Sequence, residues 1–254
     1  MAPLDEGMDE GIEAGVARYV QEMDSVPGWF SHQDVVLFER IGLIQQGSGM
    51  RGDILEIGTY MGKSAILLGF LLGDYDSLVI NDLFDGSAST ADNVAEVALE
   101  YPGLTQKQFI DRYMSYHRWK PEVVADLSST LPAVLGDRKF RLIHVDGSHT
   151  YEVVREDILN SRTFAGPDCI VVMDDWRTVH TPGVSAAVWE AVTREGLIPL
   201  VVSDAKFYAM WAPGPIGVGS FLRDWVRENY PDQHQSHWIA GHELVRLGTP
   251  PQPL

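Results

Sequence analysis

The chain is predicted to fold as a doubly wound α/β protein: a mainly parallel sheet with helices on both faces and one antiparallel strand at its edge. Three observations predict it. Short runs that are apolar throughout, such as Ile170–Met173, alternate with stretches of helical period, as in parallel strands covered on both faces. The first run, Ile54-Leu55, continues into Glu56-Ile57-Gly58-Thr59-Tyr60-Met61-Gly62, a strand that turns through two glycines into a helix near Lys63-Ser64. Two late runs, Leu200–Val202 and Phe207–Trp211, stand too close for a crossover helix and so form an antiparallel hairpin.

The elements follow in order. Ile12, Val16, Tyr19, Val20 and Met23 recur at helical spacing, predicting an amphipathic helix over about 8–24 that Val26-Pro27-Gly28 breaks. Ser31 with Asp34 resembles a capping box opening a second helix over 32–45. Gly47, Gly49 and Gly52 lead into the first strand. Seven strands are expected: Ile54–Ile57, Leu78–Asn81, Val123–Ala125, Arg141–Val145, Ile170–Met173, Leu200–Val202 and Phe207–Trp211. Beyond Pro213 a helical pattern surrounds Phe221–Val226, followed by His- and Gln-rich residues and then Leu244–Leu247, none with an evident place. The expected division is an N-terminal helical cap (1–50), a core (51–213) and a C-terminal extension (214–254).

With 254 residues, 45% hydrophobic and 22% charged, the chain can bury a full core. A net charge of −17 argues against a phosphate-backbone partner, so no nucleic acid is expected. No apolar run approaches the roughly 20 residues of a membrane span. The acidic start, MAPLDEGMDEGIEAG, lacks the layout of a signal peptide. Cys169 lies alone in an apolar run, as a buried thiol in a reducing compartment would. A soluble, cytoplasmic protein is expected.

The glycine turn excludes two phosphate motifs. Three residues separate Gly58 from Gly62-Lys63-Ser64 where a Walker A loop needs four, and Tyr60 stands where a dinucleotide motif has its second glycine. What remains, acidic-x-Gly-x-x-x-Gly, resembles the first motif of S-adenosylmethionine (SAM) methyltransferases, whose sheet also ends in an antiparallel strand. Glu56, Gly58, Thr59, Tyr60, Gly62 and Ser64 are the cofactor candidates; a tight turn with no ligand is the other reading. In an open α/β sheet the ligand lies beyond the carboxyl ends of the strands. Asp82, after the second strand, is placed to accept from both ribose hydroxyls, or else to cap a turn. Asp126, after the third, is placed to accept from the adenine amino group, or else lies in an ordinary loop.

After the fourth strand comes Asp146-Gly147-Ser148-His149-Thr150-Tyr151-Glu152, and after the fifth Asp174-Asp175-Trp176. Three carboxylates on one rim repel unless a cation or proton compensates. Hard oxygen donors without cysteine point to Mg²⁺ on Asp146, Asp174 and Asp175; loop caps without metal are the alternative. His149 is a candidate general base or metal neighbour, and Asp146 a second catalytic candidate that also faces the cofactor. His144, within the strand, reads as a satisfied core histidine.

Asp146-Gly-Ser-His-Thr-Tyr-Glu, preceded by Leu-Ile-His-Val, resembles the signature of a class I methyltransferase family. That family includes tailoring enzymes of natural-product pathways, macrocin-type sugar O-methyltransferases and the cephamycin methoxylation protein. The resemblance spans about residues 25–212 and implies a Mg²⁺ site at Asp146, Asp174 and Asp175. Thr181-Pro182-Gly183-Val184 is similar to the following turn of the sugar enzymes. Trp176 and His180 beside it, with Trp29 and Phe30, are candidate acceptor-pocket residues, as are Tyr113, Tyr116, His117 and Trp119. The expected activity is SAM-dependent methylation of a hydroxyl on a small sugar or aryl metabolite, assisted by Mg²⁺, in secondary-metabolite (antibiotic) biosynthesis. The protein is expected to form a homo-oligomer, a dimer or larger. A metal-independent N-methyltransferase and a catalytically silent SAM- or metal-binding partner protein are the rival readings.

Overall fold

The computed structural model describes residues 11–86, 88, 94–95 and 103–248. The acidic start expected to be a solvated face (Asp5, Glu6, Asp9, Glu10) lies outside them. The strands are β1 Asp53–Ile57, β2 Leu78–Asn81, β3 Glu122–Val124, β4 Phe140–Val145 and β5 Ala165–Met173, then β6 Ile198–Val202, β7 Phe207–Met210, β8 His234–Ile239 and β9 His242–Leu247. They form one sheet ordered β3-β2-β1-β4-β5-β7-β6-β9-β8. β1 pairs in parallel with β2 and β4, β5 continues in parallel beside β4, and β7 runs antiparallel between β5 and β6.

The seven expected strands are present, and the late hairpin is antiparallel, but it is not the edge. β9 pairs in parallel with β6, and β8 closes the sheet antiparallel to β9. The stretch Leu244–Leu247 is therefore part of a strand, with Leu244, Val245 and Leu247 buried. Its neighbour β8 carries His234, Gln235, Ser236 and His237, a polar outer strand that discourages further edge pairing.

The helices are α1 Ile12–Val20, α2 His32–Gly47, α3 Lys63–Phe70 and α4 Gln106–Tyr113, then α5 Leu131–Leu135, α6 Tyr151–Phe164, α7 Pro182–Glu190 and α8 Val218–Asn229. Strand side chains alternate faces, so each apolar strand feeds two cores. Ile54, Ile80, Leu142 and Val172 pack with residues of α1, α2, α3, α4 and α8. Leu55, Val79, Ile143 and Val171 pack on the other side with α5, α6 and α7. Ser31 caps α2, accepting from the Asp34 amide at 3.0 Å, as its spacing predicts. Polar bonds tie the N-terminal helices to the core: Gln45 of α2 donates to the Arg141 carbonyl of β4 and Tyr19 of α1 to the Lys63 carbonyl of α3, both at 2.7 Å. Among the described residues no helix is long and apolar enough to cross a membrane.

Candidate active site

The carboxyl ends of β1, β2, β4 and β5 open into a cavity of about 810 Å³. At one end lie Gly58, Thr59, Tyr60, Ser64, Asp82, Asp126 and Ser128, and at the other Asp146, His149, Asp174, Asp175 and His180. Trp29 and Phe30 also line it.

Gly58 has φ +81°, and a Cβ there would meet the backbone oxygen of Asp146 at 2.0 Å and the Gly147 Cα at 2.6 Å. This glycine is required because the loops after β1 and β4 touch, before any ligand is considered. Gly62, at φ +87°, caps α3 and turns toward the Phe109 ring; it does not line the cavity. Glu56 also lies beneath the cavity, fully buried, because its strand position points into the sheet's helical layer. Burial pushes its carboxyl up to about 7, against the nearby Ser64 and Thr59 side chains, and its Oε1 lies 2.9 Å from His144 Nδ1.

Asp82 accepts from the backbone N–H of Thr59 (2.8 Å), Tyr60 (3.0 Å) and Phe84 (2.9 Å). It therefore clamps the glycine turn as well as facing the cavity. Tyr60, held at φ +49°, stacks on the exposed Trp29 ring with centroids 6.0 Å apart. Asp126 is exposed and accepts from the Leu127 amide at 2.8 Å.

Asp146 and Asp174 come together with His144, one ligand atom of each within 4.8 Å of the others, while Asp175 lines the same cavity but is engaged by His149 and Thr178 instead of completing the expected aspartate triad. Asp175 sits at φ +53°, with His149 Nε2 3.1 Å from Oδ2 and the Thr178 hydroxyl donating to Oδ1 at 2.6 Å. Burial pushes its carboxyl up, but those two partners outweigh burial and hold it below the usual range. Asp146 is pushed well above its usual range by burial and then by Asp174, against the pull of Lys206. His180 faces His149, ring centroids 6.3 Å apart.

Two groups of acceptor-pocket candidates are corrected here. Trp176 does not reach the cavity; it packs on Trp189 and Phe207 and donates to the Ser203 carbonyl at 3.3 Å. Tyr113, Tyr116 and His117 pack among the helices, with His117 bonded to the Ile66 carbonyl (2.8 Å), and Trp119 points outward. Arg177, the nearest cation by sequence, also turns outward to Asp204 at 2.8 Å. The cation actually among the carboxylates is Lys206, 1% exposed, which donates to Asp174. His144 is the buried core histidine expected, yet it forms the floor of the rim; burial, then Lys206, push it down to about 3.

Asp157 on α6 was not apparent from the sequence. It lines the cavity, is 1% exposed, and its Oδ1 has no hydrogen-bond partner. Burial lifts it to about 7. The Thr59 side chain is also buried, turned toward the Glu56 carboxyl beneath the cavity. An orphaned buried acceptor in the cavity fits a polar ligand such as SAM.

Residues 55–176 match the model of a family described as a methyltransferase domain. The O-methyltransferase NovP is similar in structure, with 16% identity, a TM-score of 0.57, and coverage of 71% of this chain and 80% of NovP. The calicheamicin methyltransferase CalS11 is similar at 17% identity and a TM-score of 0.54, over 82% of this chain and all of CalS11 (100%). TomG from Streptomyces achromogenes, an O-methyltransferase of tomaymycin synthesis solved with SAM, is similar at 19% identity and a TM-score of 0.51, over 83% of this chain and 93% of TomG. Likeness at these identities establishes the fold alone. No curated protein matches the sequence.

Proposed function

Since the chain carries a class I, SAM-dependent methyltransferase domain, we propose that it methylates a hydroxyl of a small ring-bearing natural product, a sugar or an aryl compound. The observation that carries this reading is one cavity joining the glycine turn and Asp82 to the rim of Asp146, His149 and Asp175. Its volume of about 810 Å³ suits a cofactor with an acceptor. The Phe30 ring, which also lines the cavity and lies 4.5 Å from the Lys206 ammonium at the rim, offers an aromatic face for an acceptor ring. The O-methyltransferase neighbours support the acceptor class by analogy. Activity on a small molecule in the cytoplasm accords with the acidic surface and the buried Cys169.

SAM, when bound, would supply an electrophilic sulfonium methyl whose leaving group is the neutral thioether. Thr59, Tyr60, Asp82 and Asp157 would hold it. His149, oriented through Nε2 by Asp175, takes the hydroxyl proton. Holding both reactants in one cavity supplies the proximity that such a transfer needs. Magnesium assistance does not fit the donor set as it stands, because the Lys206 ammonium lies on it, and no step is routed through the metal.

Incubation with methyl-labelled SAM and a panel of glycosides and phenols tests the reading. Label should enter an ether product and be lost in His149→Ala. Label on an amine would favour the N-methylating alternative, and SAM binding without transfer to any acceptor would favour the silent one.

A further inference from the structure

The carboxylate rim brings its own cation. Lys206 precedes β7, and because β7 runs antiparallel its start lies at the carboxyl ends of β4 and β5. The ammonium therefore arrives where Asp146 and Asp174 emerge. It is held from three directions: it donates to Asp174, stands 3.3 Å from His144 Nε2, and lies 4.5 Å from the Phe30 ring centroid. An imidazole kept neutral by burial can accept at Nε2, and an aromatic face attracts a desolvated ammonium.

One ligand atom each from His144, Asp146 and Asp174 lie within 4.8 Å of one another, a spacing that could grip a metal ion. The Lys206 ammonium bonds two of those three groups. A divalent ion needs its oxygen ligands at about 2.0–2.6 Å, so ion and ammonium cannot share this position. Expelling the lysine would also strand a 1% exposed side chain that spans from the hairpin to the rim.

We propose that the Lys206 ammonium is the resident cation of this rim, joining Asp174 and His144 beside Asp146 where a divalent metal would otherwise stand, so that the enzyme works without metal. Its catalytic meaning rests on the methyl-transfer reading; the place of the cation does not. Lys206 acts as a positioning residue that holds the rim carboxylates together against their mutual repulsion, leaving Asp175 and His149 to face the acceptor.

Metal-stripped full-length protein is titrated with Mn²⁺ alone and followed by electron paramagnetic resonance and calorimetry. SAM binding is measured separately on the same sample, so failure of the functional reading is seen apart from failure of this one. Wild type should show no saturable Mn²⁺ site, and any methyl transfer should be unchanged in EDTA. Lys206→Met should gain one Mn²⁺ per chain and lose it again when Asp174→Asn is added. One Mn²⁺ bound per wild-type chain and lost in Asp174→Asn would overturn the proposal. So would a folded Lys206→Met that binds none. If Lys206→Met does not fold, the wild-type titration decides alone.

Discussion

Replacing Gly58 by alanine tests the close approach of the loops after β1 and β4. Two costs add. The first is the left-handed backbone, φ +81°, which a side chain resists by about 1–2 kcal/mol. The second is overlap with the Asp146 carbonyl, 2.0 Å from the added Cβ. Neither loop can yield freely, because the Asp146 amide donates to the Ile57 carbonyl at 2.7 Å and the Gly58 amide to that of Asn81 at 2.7 Å. Forced overlap of this kind costs about 1–3 kcal/mol. Gly49→Ala supplies the control, since Gly49 has φ +73° with nothing within 4 Å of its Cβ and so carries the backbone cost alone. The entropy lost from the unfolded chain is common to both and cancels. At roughly 2–4 °C per kcal/mol for a chain of this size, Gly58→Ala should melt about 2–12 °C below Gly49→Ala by circular dichroism. SAM affinity by calorimetry should fall as well, because the Asp146 loop must move. A Gly58→Ala protein that melts at or above Gly49→Ala would refute the argument and return the glycine to a role in ligand clearance only.

Further outcomes follow from other residues. Asp82→Ala should weaken SAM and S-adenosylhomocysteine alike by roughly ten- to a hundred-fold, the worth of about 1.5–3 kcal/mol for a charge-assisted bond; calorimetry showing less than a twofold change would separate the glycine-turn clamp from cofactor binding. Asp157 is neutral in the folded state up to about 7 but ionises near 3.8 once unfolded, so the native state holds the extra proton and stability falls as pH rises across that window. Asp157→Asn should remove about 3 kcal/mol of that fall, read by urea unfolding at pH 4.5 and 8; an unchanged slope would refute the buried carboxyl. Asp168 accepts from the amides of Gly214, Ile216, Gly217 and Val218 at 2.8–3.2 Å, tying the start of α8 to β5. Asp168→Ala should raise hydrogen exchange across residues 218–247 and cost about 2–5 kcal/mol, whereas Asp168→Asn, which keeps an acceptor, should cost less.

The layered α/β class, seven of the strands and the position of Asp82, Asp126, Asp146, Asp174 and Asp175 after strand ends that line one cavity were legible in the chain alone. These are local matters: strand periodicity, glycine spacing, and the rule that the residue after a parallel strand faces the ligand. Tertiary structure decided what that rule cannot reach. Because β7 is antiparallel, the rim residue is the one before it, and nothing local marks Lys206, in the turn between β6 and β7, as part of the rim. Asp157 lies mid-helix, where α6 happens to cross the cavity, and no spacing marks it. Trp176 follows a strand as the acceptor candidates do, yet its indole turns into the second core to fill space between Trp189 and Phe207. The run Leu244–Leu247 has the composition of a strand but no neighbour in sequence to pair with it in parallel, and only the folded sheet, by leaving β6 open, gave it a partner. Which charged groups meet in a buried rim depends on strand direction and chain crossings, and those are set by the packing of the whole sheet.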